Sequence, residues 1–251
     1  MCFYYAIVKK KPEILVKKGV IDAKQLSLFD DKYYTAGFNH EKLPVITDDR
    51  PGEIQLFSWG LVPSWTADEE KAAEMAKYTL NAKSETVFEK ASFKKSIKSR
   101  RCLILCSGFY EWQTVKQGKK KVKIPHYISL KDDELFVFAG IWDEWTNKAS
   151  GEIEKTFSLI TTEANELMAK IHNEKKRMPL ILEADDAKKW IDKSLNENEI
   201  KSLMKPFASD KMKAHTISKL ITSNEERNTP DIQAYYYYPE LKDMMEDSLL
   251  F

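Results

Sequence analysis

Residues 100–112 read RRCLILCSGFYEW. β-Formers stand on both sides of Gly108, so the stretch predicts a strand, a bend and a second strand. Strand alternation puts Cys102 and Cys106 on one face. No third soft ligand adjoins them, and His40 and His126 lack the spacing of a zinc site. Both cysteines are therefore expected in a core, and no metal is expected. Glu111 lies near the end of the stretch, among aromatic residues. It is either a solvent-facing strand residue or a carboxylate in a partly dry pocket. In the second case lost hydration would raise its pKa and suit it to proton transfer.

Outward from this stretch, strands and helices alternate irregularly. CFYYAIV (2–8), PVITDD (44–49), LFVFAGIWDEW (135–145) and TFSLITT (156–162) read as strands, and RMPLIL (177–182) as extended chain. GEIQLFSWGLVPSW (52–65) combines a strand with a loop stiffened by Pro63. Thr66 with Glu69 suggests a capping box ahead of a helix in ADEEKAAEMAKYT (67–79). DAKQLSLF (22–29), SFKKSIKS (92–99), TEANELMAKI (162–171), EADDAKKWI (183–191) and NENEIKSLMKPF (196–207) also read as helical. VKQGKKKVKI (115–124) predicts a hairpin, and AHTISKLI (214–221) the last core strand. No glycine-rich strand-to-helix turn precedes a helix, which argues against a dinucleotide-binding fold. The expectation is one α+β domain over residues 1–235 with a curled, mainly antiparallel β core and flanking helices, followed by a polar tail, 236–251.

With 251 residues, 43% of them hydrophobic and 12% aromatic, the chain is expected to be ordered and globular. Its 40 basic and 39 acidic residues nearly cancel, so net charge neither suggests nor excludes nucleic acid. Basic residues do cluster, at Lys94, Lys95, Lys98, Arg100 and Arg101, and again at Lys116, Lys119, Lys120, Lys121 and Lys123. Each cluster is either a solvated surface or a nucleic-acid contact. Three cysteines make no disulfide framework. No signal peptide or run of ~20 apolar residues is seen, so a cytoplasmic protein without membrane association is expected.

Cys2 is by type a small strand residue. Removal of Met1 would give it a second nucleophile, an α-amine with a reference pKa near ~8 beside a thiol near ~8.5. Such a 1,2-aminothiol can attack an aldehyde through nitrogen and then sulfur; it can also serve an N-terminal-nucleophile amidase. His172, just past a predicted helix, has a surface role or shuttles protons. Asn81 ends a helix or orients a reacting group. Trp59 and Trp65 are core residues or a stacking platform.

Six segments in order, MC at the start, WGLVPSW, LNAKSET, RRCLILCSGFYEW, FSLITTEAN and IHNEKKRMPLIL, resemble the SOS-response-associated peptidase (SRAP) family of abasic-site processing proteins. The likeness covers roughly residues 1–182. It implies a DNA-repair role: recognition of abasic sites in single-stranded DNA, including junctions of single- and double-stranded DNA, and their covalent capture. It implies that Cys2 is the catalytic nucleophile after Met1 removal and that Asn81, Glu111 and His172 complete the active site. It also implies DNA contacts by Trp59, Pro63, Trp65, Lys83 and Arg101. The sequence departs from the family pattern twice. Phe3 and Tyr4 replace the usual glycine and arginine, and NAK (81–83) replaces the more usual NAR. Lysine does not reproduce the bidentate phosphate contact of a guanidinium.

On this resemblance the uncharged Cys2 amine attacks the ring-opened sugar aldehyde, and the thiol closes a thiazolidine. Glu111 shuttles protons at the amine and carbinolamine oxygen, His172 assists ring opening and reversal, and Asn81 positions Cys2 and the sugar. The imine also permits β-elimination, hence lyase activity. No cofactor is required, and neither is oligomerisation. Two alternatives stand beside this reading: a peptidase or amidase using Cys2, and a single-strand-binding module without chemistry.

Overall fold

The computed structural model describes residues 2–132, 134–223 and 226–241. Its strands are β1 (Tyr4–Ile7), β2 (Lys32–Ala36), β3 (Lys42–Thr47), β4 (Ile54–Trp59), β5 (Asn81–Lys83), β6 (Arg101–Cys106), β7 (Gly108–Gln117), β8 (Lys120–Leu130), β9 (Phe136–Thr146), β10 (Ile153–Glu163), β11 (Arg177–Pro179), β12 (Ile181–Leu182) and β13 (Met212–Thr216). The helices are α1 (Glu13–Lys17), α2 (Glu69–Tyr78), α3 (Ser96–Ser99), α4 (Glu166–Ile171), α5 (Ala184–Trp190) and α6 (Glu197–Ser202). One sheet has the order β13-β8-β7-β1-β2. In the other, β10-β4-β3-β6-β9 closes into a ring because β9 also pairs with β10, with β5, β11 and β12 added at its margins. Closure removes the ring's free edges. Only β4 and β5 run parallel to their partner β10; the remaining pairs are antiparallel. The α+β architecture with a curled, mainly antiparallel core is thus present.

The stretch at 100–112 joins the two sheets. β6 is buried along its whole length, as its apolar sequence requires, and contributes Cys102 and Cys106 to the core. At the bend, Ser107 donates its N–H to Ala6 O (2.9 Å) and its hydroxyl oxygen accepts from Val8 N (2.9 Å). Gly108 follows because a Cβ there would stand 2.3 Å from the Tyr127 ring. β7 then enters the second sheet between β1 and β8. The bend therefore sets the N-terminal strand, and Cys2 just before it, beside the strand that carries Glu111.

Several local readings are corrected. Thr66 does not cap α2: its hydroxyl and N–H both bond Pro63 O, forming a turn, and Asp68 is the cap, accepting from Lys71 N at 2.8 Å. Thr162 and Glu163 stay in β10 because they pair with Met178 and Arg177, so α4 starts after Asn165, which accepts from Met168 N. Residues 23–28 form a 3-10 turn, and AHTISKLI is strand only to Thr216, with Lys219–Thr222 a 3-10 turn. The hairpin at 115–124 turns at Gly118, where φ is +60°. Within the expected tail, Tyr238 and Leu241 are buried against Val115 and Ile124, while 242–251 lie outside the described residues. No helix among the described residues is long and apolar enough to cross a membrane.

Candidate active site

β7 is an interior strand of its sheet, and Glu111 is buried within it. Burial raises its carboxyl pKa to about 7. His172 reaches the same place from the C-terminal end of α4, where its N–H caps the helix by donating to Met168 O at 2.7 Å. Nε2 of His172 lies 3.7 Å from Oε2 of Glu111. Nδ1 lies 2.9 Å from Arg177 O. Burial, reinforced by the positive charges of Lys175 and Arg177, lowers the imidazole pKa to about 4. The ring is therefore neutral near pH 7. A carbonyl can only accept, so Nδ1 carries the proton and the Nε2 lone pair faces the carboxyl group.

The loop holding His172 is tied on both sides. Lys176, in the left-handed region at φ +47°, donates its N–H to His172 O at 2.7 Å. Asn173 mimics a strand neighbour: its Oδ1 accepts from Thr114 N (3.0 Å) and its Nδ2 donates to Thr114 O (2.8 Å). This clamp joins the histidine loop to the strand of Glu111. Arg177 in turn donates to Thr161 O and pairs with Glu85.

Cys2 is fully buried just ahead of β1, with its thiol donating to Tyr4 O at 3.6 Å. Burial, and then the charge of Glu111, pushes the thiol pKa far upward. Cys2 thus senses the carboxyl group electrostatically, and its sulfur rests as a thiol. Phe3, Tyr4, Glu111, Trp112, Thr114, Lys123, His172, Glu174, Lys175 and Thr222 line a cleft of about 350 Å³. Asn81 is supplied by β5, where it pairs with Leu159 of β10. It is buried, with neither Oδ1 nor Nδ2 hydrogen-bonded among the described residues. Among the described residues no group of three or more His, Cys, Asp or Glu side chains is placed to hold a metal ion.

The expected DNA-contact residues separate. Trp65 is 59% exposed, and Lys83 is exposed on β5, two residues along from Asn81. Pro63 is buried and anchors the turn at Thr66. Trp59 is fully buried; its indole N–H donates to Leu80 O, and its ring stacks on Phe157 and meets Tyr5 edge-on, so it has no face for a base. Arg101 is likewise interior: it donates to the carbonyl oxygens of Trp190 (2.6 Å), Ile97 (3.0 Å), Lys98 (3.1 Å) and Asp192 (2.6 Å). Four of the five N–H donors of this guanidinium are thereby taken by the protein's own backbone. The adjacent basic cluster is also partly used, as Arg100 pairs with Asp143 and Lys98 with Glu197. Trp112 and Lys175, both in the cleft, were missed. GFYEW and IHNEKK placed them beside Glu111 and His172 in sequence, which was the available signal.

A closed β ring joined to a second sheet, with a buried carboxyl and a neutral imidazole lining a cleft beside the strand that follows Cys2, defines an α+β protein with a candidate proton-transfer site. The chain belongs to the SOS response associated peptidase (SRAP) family, whose model matches residues 1–224. It is 37% identical over 200 residues to the abasic site processing protein YoqW of Bacillus subtilis (strain 168), covering 79% of this chain and 84% of that one. It is 33% identical over 197 residues to the abasic site processing protein HMCES of Xenopus tropicalis, covering 72% of this chain and 57% of that one. A crystal structure of a protein from Bacteroides thetaiotaomicron matches with a TM-score of 0.83 and 38% identity, covering 94% of this chain and all of that one.

Proposed function

We propose that this protein processes abasic sites in single-stranded DNA, forming a thiazolidine link through Cys2 once Met1 is removed. The observation that carries the reading is the Glu111–His172 pair, 3.7 Å apart in a cleft whose wall is built by the residues following Cys2. The Cys2 amine adds to C1′ of the ring-opened sugar, giving a carbinolamine. Loss of one water gives an imine. The thiol then adds to C1′, and its proton passes to the imine nitrogen, closing the ring. A thiol held protonated by burial suits this order, with nitrogen first and sulfur second. Glu111, titrating near 7, takes a proton from the ammonium and returns one to the departing hydroxyl. The neutral Nε2 of His172 serves the sugar ring oxygen, and the unsatisfied Asn81 amide accepts and donates to the sugar. Elimination from the imine would account for strand cleavage.

The test mixes protein, shown by intact mass to lack Met1, with single-stranded DNA carrying one abasic site. Denaturing gels and intact mass should reveal an adduct at the sum of the two masses minus one water, absent from C2A. Salt-sensitive binding with no adduct would overturn the covalent reading in favour of a binding module. Cys2-dependent peptide cleavage without an adduct would favour a hydrolase.

A further inference from the structure

An aromatic surface leads out of the cleft. Tyr4 meets Trp112 edge-on, with ring centroids 5.2 Å apart, and stacks on Tyr34 at 5.7 Å. Phe3 lies 5.0 Å from Phe38, which is 6.4 Å from Tyr4. Phe3, Tyr4 and Trp112 share the cleft with Glu111 and His172, so the rings run continuously from the site to Phe38. Phe38, in contact with Phe3 of the cleft wall, is 55% exposed.

The turn bearing Phe38 is held firmly. Gly37 donates its N–H to Phe3 O at 2.9 Å, and His40, at φ +50°, closes the turn by donating to Gly37 O at 3.1 Å. A Cβ on Gly37 would come within 3.1 Å of Leu80, so the backbone sits tight against the core. The exposed ring therefore projects from a fixed base, and little freedom remains to be lost when something stacks on it.

We propose that Phe38, with Phe3 and Tyr4 behind it, is a stacking subsite for the nucleobase next to the abasic residue. The proposal rests on the single-strand reading of the cleft. Lys123 and Lys175 line that cleft and offer cations to the phosphates, and the rings offer apolar faces to the base. That pairing of charge with aromatic faces suits single-stranded DNA. Recognition becomes dependent on whether a base flanks the lesion.

The experiment uses the full chain and single-stranded DNA carrying a tetrahydrofuran abasic analogue, which has no aldehyde and cannot crosslink. Affinity is read by fluorescence anisotropy with adenine flanking the analogue, and with a second tetrahydrofuran replacing that adenine on either side. Wild type should bind about tenfold more tightly when one particular flanking base is present. F38A and F38L should lose that preference and F38W should keep it, with melting temperatures reported for each. Equal affinity for all the oligonucleotides, or a preference retained in folded F38A and F38L, overturns the subsite. Crosslinking to aldehyde-bearing DNA separates the two readings. An adduct without a flanking-base preference defeats the subsite alone; a preference without an adduct upholds the subsite and defeats the covalent function.

Discussion

At the scale of single residues, one carboxyl group sets the chemistry and its pH range. In the proposed reaction the carboxylate form of Glu111 removes the Cys2 ammonium proton. The initial rate of adduct formation should then rise as pH passes about 7, where Glu111 titrates. In E111Q the rising limb should move toward the amine's own titration near ~8, and the rate at pH 7 should fall roughly 100-fold. An unmoved limb in gel-resolved initial rates removes Glu111 from this role. Arg101 teaches the converse. The family resemblance implied phosphate binding, yet four backbone carbonyl oxygens take four of its five N–H donors. Side-chain type alone does not distinguish these duties, because one planar donor fork serves either.

At the scale of elements, the site depends on how a helix end is held against a strand. Asn173 bonds both backbone groups of Thr114, so the His172 loop is registered on β7 at a fixed height. N173A should lower stability by about 1–2 kcal/mol, from two hydrogen bonds worth ~1 kcal/mol each. Because the clamp sets the His172–Glu111 separation, it should also slow adduct formation several-fold while leaving affinity for tetrahydrofuran-containing DNA unchanged. A stability loss with an unaltered single-turnover rate would show the clamp to be structural only. Asn173 lies in the IHNEKKRMPLIL segment, but its clamping role exists only once β7 lies alongside. The cap of α2 went astray for a similar reason: Thr66 satisfied the local rule, but its hydroxyl was already committed to Pro63 O.

At the scale of the molecule, burial of β7 inside its five-stranded sheet makes charge costly at Glu111. Glu111 is protonated in the folded state up to about 7, against an ordinary value of 4.5. Between those values the folded protein binds more protons than the unfolded chain. Its contribution to stability is therefore full below about 4.5 and lost as pH rises through about 7. The shift corresponds to about 3 kcal/mol as an upper figure. E111Q should accordingly be more stable than wild type at pH 8, by up to that amount, and the difference should shrink toward zero below pH 4.5. Thermal melts of both proteins across this range read the sign directly. A constant difference would mean that Glu111 titrates normally. His126 and His172, both lowered to about 4, work in the opposite sense, adding stability as pH rises from about 4 to 6.5.

The strand–bend–strand at 100–112, the long strands at 135–145 and 156–162, and the likeness carried by six ordered segments were legible in the residues alone. Alternation and β-branching are local properties, and motif order survives without coordinates. Closure of the ring, burial of Trp59 and Arg101, and the meeting of Glu111 with His172 were decided by tertiary structure. Each depends on which strand lies beside which, and no local pattern states that. Phe38 shows the difference most plainly. In sequence it follows a glycine in an unremarked turn; in the fold it ends a row of rings that begins beside Cys2.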